Sequence, residues 1–317
     1  MSKLFGKKAN NAPEGSVLTR KKSGVKDKGD ILPFLIMLAP FAIFFFLFTV
    51  LPVFSSIALS FTSYDMISTP KFVGIDNYRR MFVTDDIFGI TVRNTLMFAI
   101  IAGPAGFLLS FVLAWFVNEF NPKTRAFLSF LFYAPALVGN AFFVWKVAFS
   151  GDSYGYINAA LLSLGIITDP IVWLKNADYI MTIIIIVQLW QSMGVSFLAN
   201  ISGLQNVSRE MYEAGAIDGI RNRWQELRYI TLPAMSHMLL FSAVMQIQSS
   251  FSVSGICTEL AGYPSVSNAA DTIVQLMGDY AGTRFEYGYA AAMSVVLFLM
   301  MVACRFVVGK VLAMVQD

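Results

Sequence analysis

Charge is scarce in this 317-residue sequence: Asp, Glu, Lys and Arg make up only 14% of it, against about 25% in a soluble domain. Hydrophobic residues reach 56%, so the main solvent of the chain is lipid. The net charge of +3 supplies no broad basic surface, and nucleic acid is not an expected partner. There are two cysteines, Cys257 and Cys304, expected near opposite faces of a membrane, which argues against a disulfide between them and supports no metal site. His237 is the single histidine, so a histidine-based metal centre is not expected. No G-x-x-x-x-G-K-[ST] stretch occurs, so the chain lacks that means of cradling nucleotide phosphates.

The sequence is rich in long runs without charge. Crossing the hydrocarbon core takes roughly 20 apolar residues in a helix. Six stretches meet or approach that length: 31–61, 92–118, 126–149, 179–204, 231–256 and 287–309. The third carries Lys146 near one end, and Arg93 and Arg305 stand at the ends of theirs, where long side chains reach the interface. Basic residues before the first run imitate a signal peptide. That run, however, holds 31 residues without a charge, whereas a signal core has about 7–15. Residues 1–30 therefore read as a disordered basic tail and 31–61 as a retained span. The expected organisation is the tail at 1–30, a first helix and external segment at 31–91, and a core at 92–317.

Lys and Arg in the connections set the orientation. Six spans put both termini on one side. The tail holds eight basic residues, 119–125 two, 205–230 four, and the C-terminal end Arg305 and Lys310, together 16 of the 23. That side is expected to be the cytoplasm. On the other side, "GYINAALLSLGI" within 150–178 reads as a helix of about three turns, too short to span and suited to the outer surface. Trp145 and Trp173 fit the interfacial aromatic belt.

The connection between the fourth and fifth spans, "GLQNVSREMYEAGAIDGIRNRWQELRYITLPAM" at 203–235, is patterned. Met211, Ala214 and Ile217 recur every three residues, as do Trp224, Leu227 and Ile230, each series marking one helical stripe. Gly219 is placed to end the first helix in the left-handed conformation, and Pro233 to open the fifth span. Two short helices at a glycine elbow make a compact knob able to enter a partner's groove. A plain surface connector has the same pattern.

These residues resemble the EAA loop of binding-protein-dependent ABC importer permeases, in the carbohydrate branch of maltose and multiple-sugar type. Glu213, Ala214, Gly219, Leu232 and Pro233 match that pattern, at 203–233. Gly215 replaces the second alanine, and Ser208 stands where the branch often has proline. "GYINAALLSLGI" and "TIVQLMGDYAGTRFEYGYAAAMSVVLFL" resemble the same branch. The resemblance implies an all-α membrane protein of six transmembrane helices with type I importer architecture and a cytoplasmic coupling helix between helices 4 and 5. It implies a bacterial cytoplasmic-membrane protein, partnered by a second permease subunit, two copies of a cytoplasmic ATP-binding subunit and an extracytoplasmic solute-binding protein. ATP and Mg would be used by the partner ATPase, with no cofactor bound by this chain and no enzymatic activity of its own. Glu213, Ala214, Gly215, Asp218 and Gly219 would form the ATPase-coupling contact.

Polar side chains inside spans are costly in lipid and mark candidate paths. Gln188, Trp190, Gln191 and Asn200 lie in the fourth span, Gln246 and Ser249 in the fifth, and Tyr287 opens the sixth. Asn140 on the third is ambiguous. Amides and aromatic faces suit the hydroxyls and C–H faces of a carbohydrate, and the expected cargo is an oligosaccharide. The same amides also suit bridging between helices. Another polar solute, such as a glycerol phosphodiester, would favour cations inside the spans, and the basic residues there stand at span ends. An ion-coupled secondary transporter would favour acidic residues within spans, and these spans have none.

Overall fold

A computed structural model describes residues 28–139 and 142–316. The sequence-assigned tail thus falls largely outside the described residues, as does Asn140. The chain divides after Val53 into two compact units.

Three helices are long and apolar enough to cross a bilayer: α1 (Leu35–Leu59), α2 (Asp86–Asn118) and the Tyr287–Lys310 part of the last helix. Three further spans are broken pairs. They are α3 (Pro122–Leu137) with α4 (Phe142–Ala148), α6 (Ala177–Gln191) with α7 (Val195–Asn206), and α9 (Arg223–Ala234) with α10 (Ser236–Phe251). Each pair counted as one span makes six, as the charge-free runs require. A two-turn helix, α5 (Tyr156–Ser163), lies between α4 and α6, and α8 (Arg209–Ile217) between α7 and α9. The chain closes with α11 (Gly255–Ala261), α12 (Ile273–Gly282) and α13 (Tyr287–Gln316). The only strands among the described residues are β1 (Thr62–Ser63) and β2 (Lys71–Phe72), an antiparallel pair.

The expected spans gain internal structure here. α6 and α7 meet at 41°, across a break whose last residue is Gly194 at φ −111°, ψ −118°. Pro233 does not open the fifth span. It sits in α9, after a π-helical turn at Leu227–Thr231. The sharp bend of 80° comes after it, at Met235. A π turn next to proline relieves the missing N–H and the ring's clash with the preceding carbonyl. The surface helix α5 is shorter than the three turns expected. Its loop is instead knotted around one buried amide. Asn158 Nδ2 donates to the Ser150, Asp152 and Ile171 carbonyls at 3.0–3.1 Å, and Oδ1 accepts from Trp173 Nε1 at 2.8 Å.

α2 is the central helix, packing on α6, α7, α10 and α12. Ala102, Gly106, Ser110 and Ala114 recur every four residues along it and are buried. Small residues on one stripe let neighbouring backbones approach, which is how helices associate in lipid, where no hydrophobic drive pushes them together. Large apolar side chains elsewhere on α2 are exposed, as with Ile100, Leu108 and Phe116. A Cβ on Gly106 would fall on Gln246 Nε2 and 3.0 Å from Ser192 Oγ. Gly106→Val should therefore lower the stability of the purified protein by about 1–3 kcal/mol through overpacking. Gly89→Ala, whose Cβ would meet nothing within 4 Å, should leave the unfolding midpoint in detergent unchanged. Equal midpoints for both variants would contradict the close-packing role of the stripe.

Candidate functional site

The loop between α7 and α9 is built from its caps outward. Ser208 enters α8 at φ −68°, ψ 142°, a backbone that proline also favours, so the change from proline leaves the entry intact. At the other end, Gly219 has φ +96°. The Gly219 N–H reaches the Ala216 carbonyl at 3.4 Å and the Ile220 N–H reaches the Gly215 carbonyl at 2.9 Å. This is the Schellman closure, which supplies partners for the last carbonyls of a helix. The elbow predicted at Gly219 is present.

The five loop candidates divide by the face they occupy. Gly215 is buried, and a Cβ there would come within 2.5 Å of Ile230 Cδ1 and 3.0 Å of Ile220 Cδ1. The missing second alanine thus makes room for α9 of the same chain rather than for a partner. Glu213, Ala214, Asp218 and Gly219 are exposed. Glu213 pairs with Arg209 at 3.1 Å, an exposed i,i+4 contact worth a few tenths of a kcal/mol. Met211 is 45% exposed and Ile217 87% exposed, so α8 presents an apolar stripe that nothing among the described residues covers.

Underneath, α8 is fastened. Tyr212 Oη and Thr231 Oγ1 share a hydrogen bond of 2.9 Å. Arg223 binds Glu226 at 2.9 Å and Glu119, just past the end of α2, at 2.8 Å. The Trp224 ring lies 5.4 Å from that of Trp115 on α2. The Glu226 hydrogen bond and the Glu119 carboxylate raise Arg223 above its ordinary pKa against the opposing effect of burial, so it stays cationic. Arg223 and Trp115 were not singled out by sequence; their separation by more than a hundred residues left no local signal.

The polar candidates of the spans sit where four helices meet. Gln188 Nε2 on α6 donates to Ser249 Oγ on α10 at 3.0 Å. Ser196 Oγ on α7 donates to Gln246 Oε1 at 3.3 Å, and Asn200 Nδ2 to Ser110 Oγ on α2 at 3.3 Å. Gln188, Gln246 and Asn200 are buried and engaged between helices in this conformation. Asn200 Oδ1 has no partner among the described residues. Trp190 and Gln191 are half-buried, the former edge-on to Trp145 at 5.6 Å. Tyr287 stands elsewhere, 6.3 Å from the Tyr64 ring, beside the point where Gly288 abuts the Thr62 carbonyl.

Close to Tyr287 is a cluster that sequence reading missed. Asp85 caps α2 through the Phe88 N–H at 3.1 Å and accepts from Tyr280 Oη at 3.0 Å and Tyr289 Oη at 2.8 Å. Arg80 pairs with Glu286 and lies 4.3 Å from the Tyr289 ring centre; Arg284 pairs with Asp279 at 2.8 Å and lies 4.2 Å from that of Tyr280. Burial, then the Asp85 hydrogen bond, push the Tyr280 hydroxyl above the usual phenol range, so it remains a donor. Arg80, Arg284 and Glu286 line a cavity of about 360 Å³.

A helical bundle with up to six apolar spans, carrying a fastened helix between two of them, defines a polytopic membrane protein. The chain belongs to the family of binding-protein-dependent transport system inner membrane components, whose model matches residues 106–314. It is 32% identical to the "Probable ABC transporter permease protein YesP" of Bacillus subtilis, over 83% of this chain and 84% of that one. It is 30% identical to the lactose transport system permease protein LacF of Rhizobium radiobacter, over 91% of this chain and 96% of that one. Its fold matches a chain in the crystal structure of a bacterial ABC transporter that imports the acidic polysaccharide alginate, with TM-score 0.73 and 22% identity over 92% of this chain and 98% of that one.

Gly219→Val places a β-branched residue at a positive φ, at a cost on the order of 1–3 kcal/mol. It should make the elbow at residues 218–222 a site of rapid proteolysis in an otherwise folded protein. Gly215→Ala needs only small shifts of the Ile230 and Ile220 terminal methyls and should stay resistant. Equal resistance in both variants would mean that Gly219 does not set the elbow.

Proposed function

We propose that this permease is the membrane path of an ATP-driven importer for a carbohydrate of oligosaccharide type, with ATP hydrolysis in a separate subunit. The observation that carries this reading is the combination at α8: an uncovered apolar stripe, Met211, Ala214 and Ile217, on a helix whose underside is locked to α9. In water such a stripe is a binding surface. The proposed occupant is a cleft on the ATP-binding subunit, with Glu213 and Asp218 at the rim. The Lys and Arg bias toward this loop's side of the spans, 16 of 23, supports a cytoplasmic placement for it and for both termini.

The rest of the assembly follows the same reading: a second permease beside the core at 92–317, two ATP-binding subunits using ATP and Mg below, and a solute-binding protein above. A solute-binding partner is supported by the family's description. The carbohydrate assignment is supported by relatives named for lactose and for arabinooligosaccharides. Pairing of Arg80 and Arg284 with carboxylates favours a neutral solute at the outer cavity. The path would run past Trp190 and Gln191, while Gln188, Gln246, Ser249 and Asn200 would exchange their interhelical partners for solute hydroxyls as the helices move.

The experiment is purification of the complex and uptake of radiolabelled oligosaccharide in cells carrying Glu213→Lys or Ile217→Asp. Both variants should reach the membrane in normal amounts, lose the ATPase during purification and lower uptake at least about tenfold, since an unpaired or like charge in a docked interface costs several kcal/mol. Retained ATPase and wild-type uptake in both would refute the docking role. Loss of ATPase together with uptake of no carbohydrate in the wild type would refute the cargo alone.

A further inference from the structure

A second groove lies away from the loop and the polar interior. It runs between α10 and α13, has a volume of about 410 Å³, and is walled by Leu240, Val244 and Ile247 on one side and Phe306, Val308 and Gly309 on the other. Leu240, Val244 and Ile247 follow one another at i, i+4 and i+7, a single stripe that extends about 10 Å along the helix axis. Arg305 and Lys310 join the lining. Among the described residues neither has a carboxylate partner. A Cβ built on Gly309 would meet no atom within 4 Å, so the groove is open there.

We propose that this groove is a binding site for one anionic phospholipid. The apolar stripe takes an acyl chain, and Arg305 and Lys310 take the phosphate. Charge complementarity selects the occupant: a zwitterionic lipid would fill the stripe equally well but would gain less from two cations. Basic pockets between membrane helices at the cytoplasmic side suit anionic headgroups for this reason. The placement in the inner leaflet rests on the orientation given under the proposed function; the lipid preference itself does not.

The test uses the complete transporter in nanodiscs that mix phosphatidylglycerol and phosphatidylcholine at equal amounts, with spin-labelled forms of each lipid as probes. Wild-type protein should hold phosphatidylglycerol in preference to phosphatidylcholine. Two basic residues near an anionic surface support a preference of about tenfold or more at low salt, falling as salt is raised. The double variant Arg305→Gln, Lys310→Gln should erase the preference while keeping the acyl contact. Gly309→Leu should fill the groove and lower retention of both lipids. Equal retention of the two lipids by wild type would overturn the proposal, and so would an unchanged preference in the double variant. A crosslink from a photo-reactive phenylalanine analogue at Val244 to the second permease in the assembled transporter would overturn it too, by showing a protein occupant. Lipid retention is read without transport, so failure of the importer reading would appear in uptake and leave this result standing.

Discussion

A helix outside the bilayer transmits force to the spans only if it cannot roll or slide on its own support. In this permease the constraint is the seat of α8 on α9. Gly215 has no side chain, Ile230 and Ile220 fill the vacancy, and Tyr212 is tied to Thr231. The seat continues through Arg223 to Glu119 and through Trp224 to Trp115, reaching the C-terminal end of α2. On the proposed function, displacement of α8 would be passed by these contacts to the central helix and, across the bend at Met235, to α10. Apolar packing, a hydrogen bond and a charge pair act on the same few residues. Loss of any one of them weakens the seat without dissolving it.

The interior contacts are of a different kind. α2 meets α7 and α10 through small residues, and the polar contacts between the helices there are amides and hydroxyls. Interhelical hydrogen bonds in membranes average well under about 2 kcal/mol each, so they are exchanged at little cost. Asn200 Oδ1, buried and without a partner among the described residues, has spare capacity in this conformation. At the other end the arrangement is stiffer. Asp85 holds the start of α2 against Tyr280 and Tyr289, with Arg80 stacked on the latter. The bundle is thus tied at the Asp85 end, opposite the end at which the proposed function has α8 act.

Much of this was legible in the residues. Runs free of charge mark the six spans, because a charge within hydrocarbon needs a reason to be there. The triplet spacing of Met211, Ala214 and Ile217 and the position of Gly219 give the helix and its elbow, since helical period and left-handed backbone are local properties. Other features depend on distant partners. The break after Gln191 follows from packing and has no charge signature. Pro233 reads as the first residue of a span, yet the π turn before it absorbs the proline and the bend falls at Met235. Gly215 reads as a place for a partner and proves to be a place for Ile230. Asp85 organises its surroundings through bonds to Tyr280 and Tyr289, about two hundred positions away, which no window of sequence brings together.

The central claim is that the uncovered face of α8 seats on the ATP-hydrolysing subunit. A photo-crosslinking phenylalanine analogue at Ile217 reads this directly in the assembled transporter, with the same analogue at exposed Phe116 on α2 as comparison. The account predicts an adduct between position 217 and the ATP-hydrolysing subunit, and none from position 116. A fully assembled, transporting complex in which position 217 yields no adduct with that subunit would contradict it.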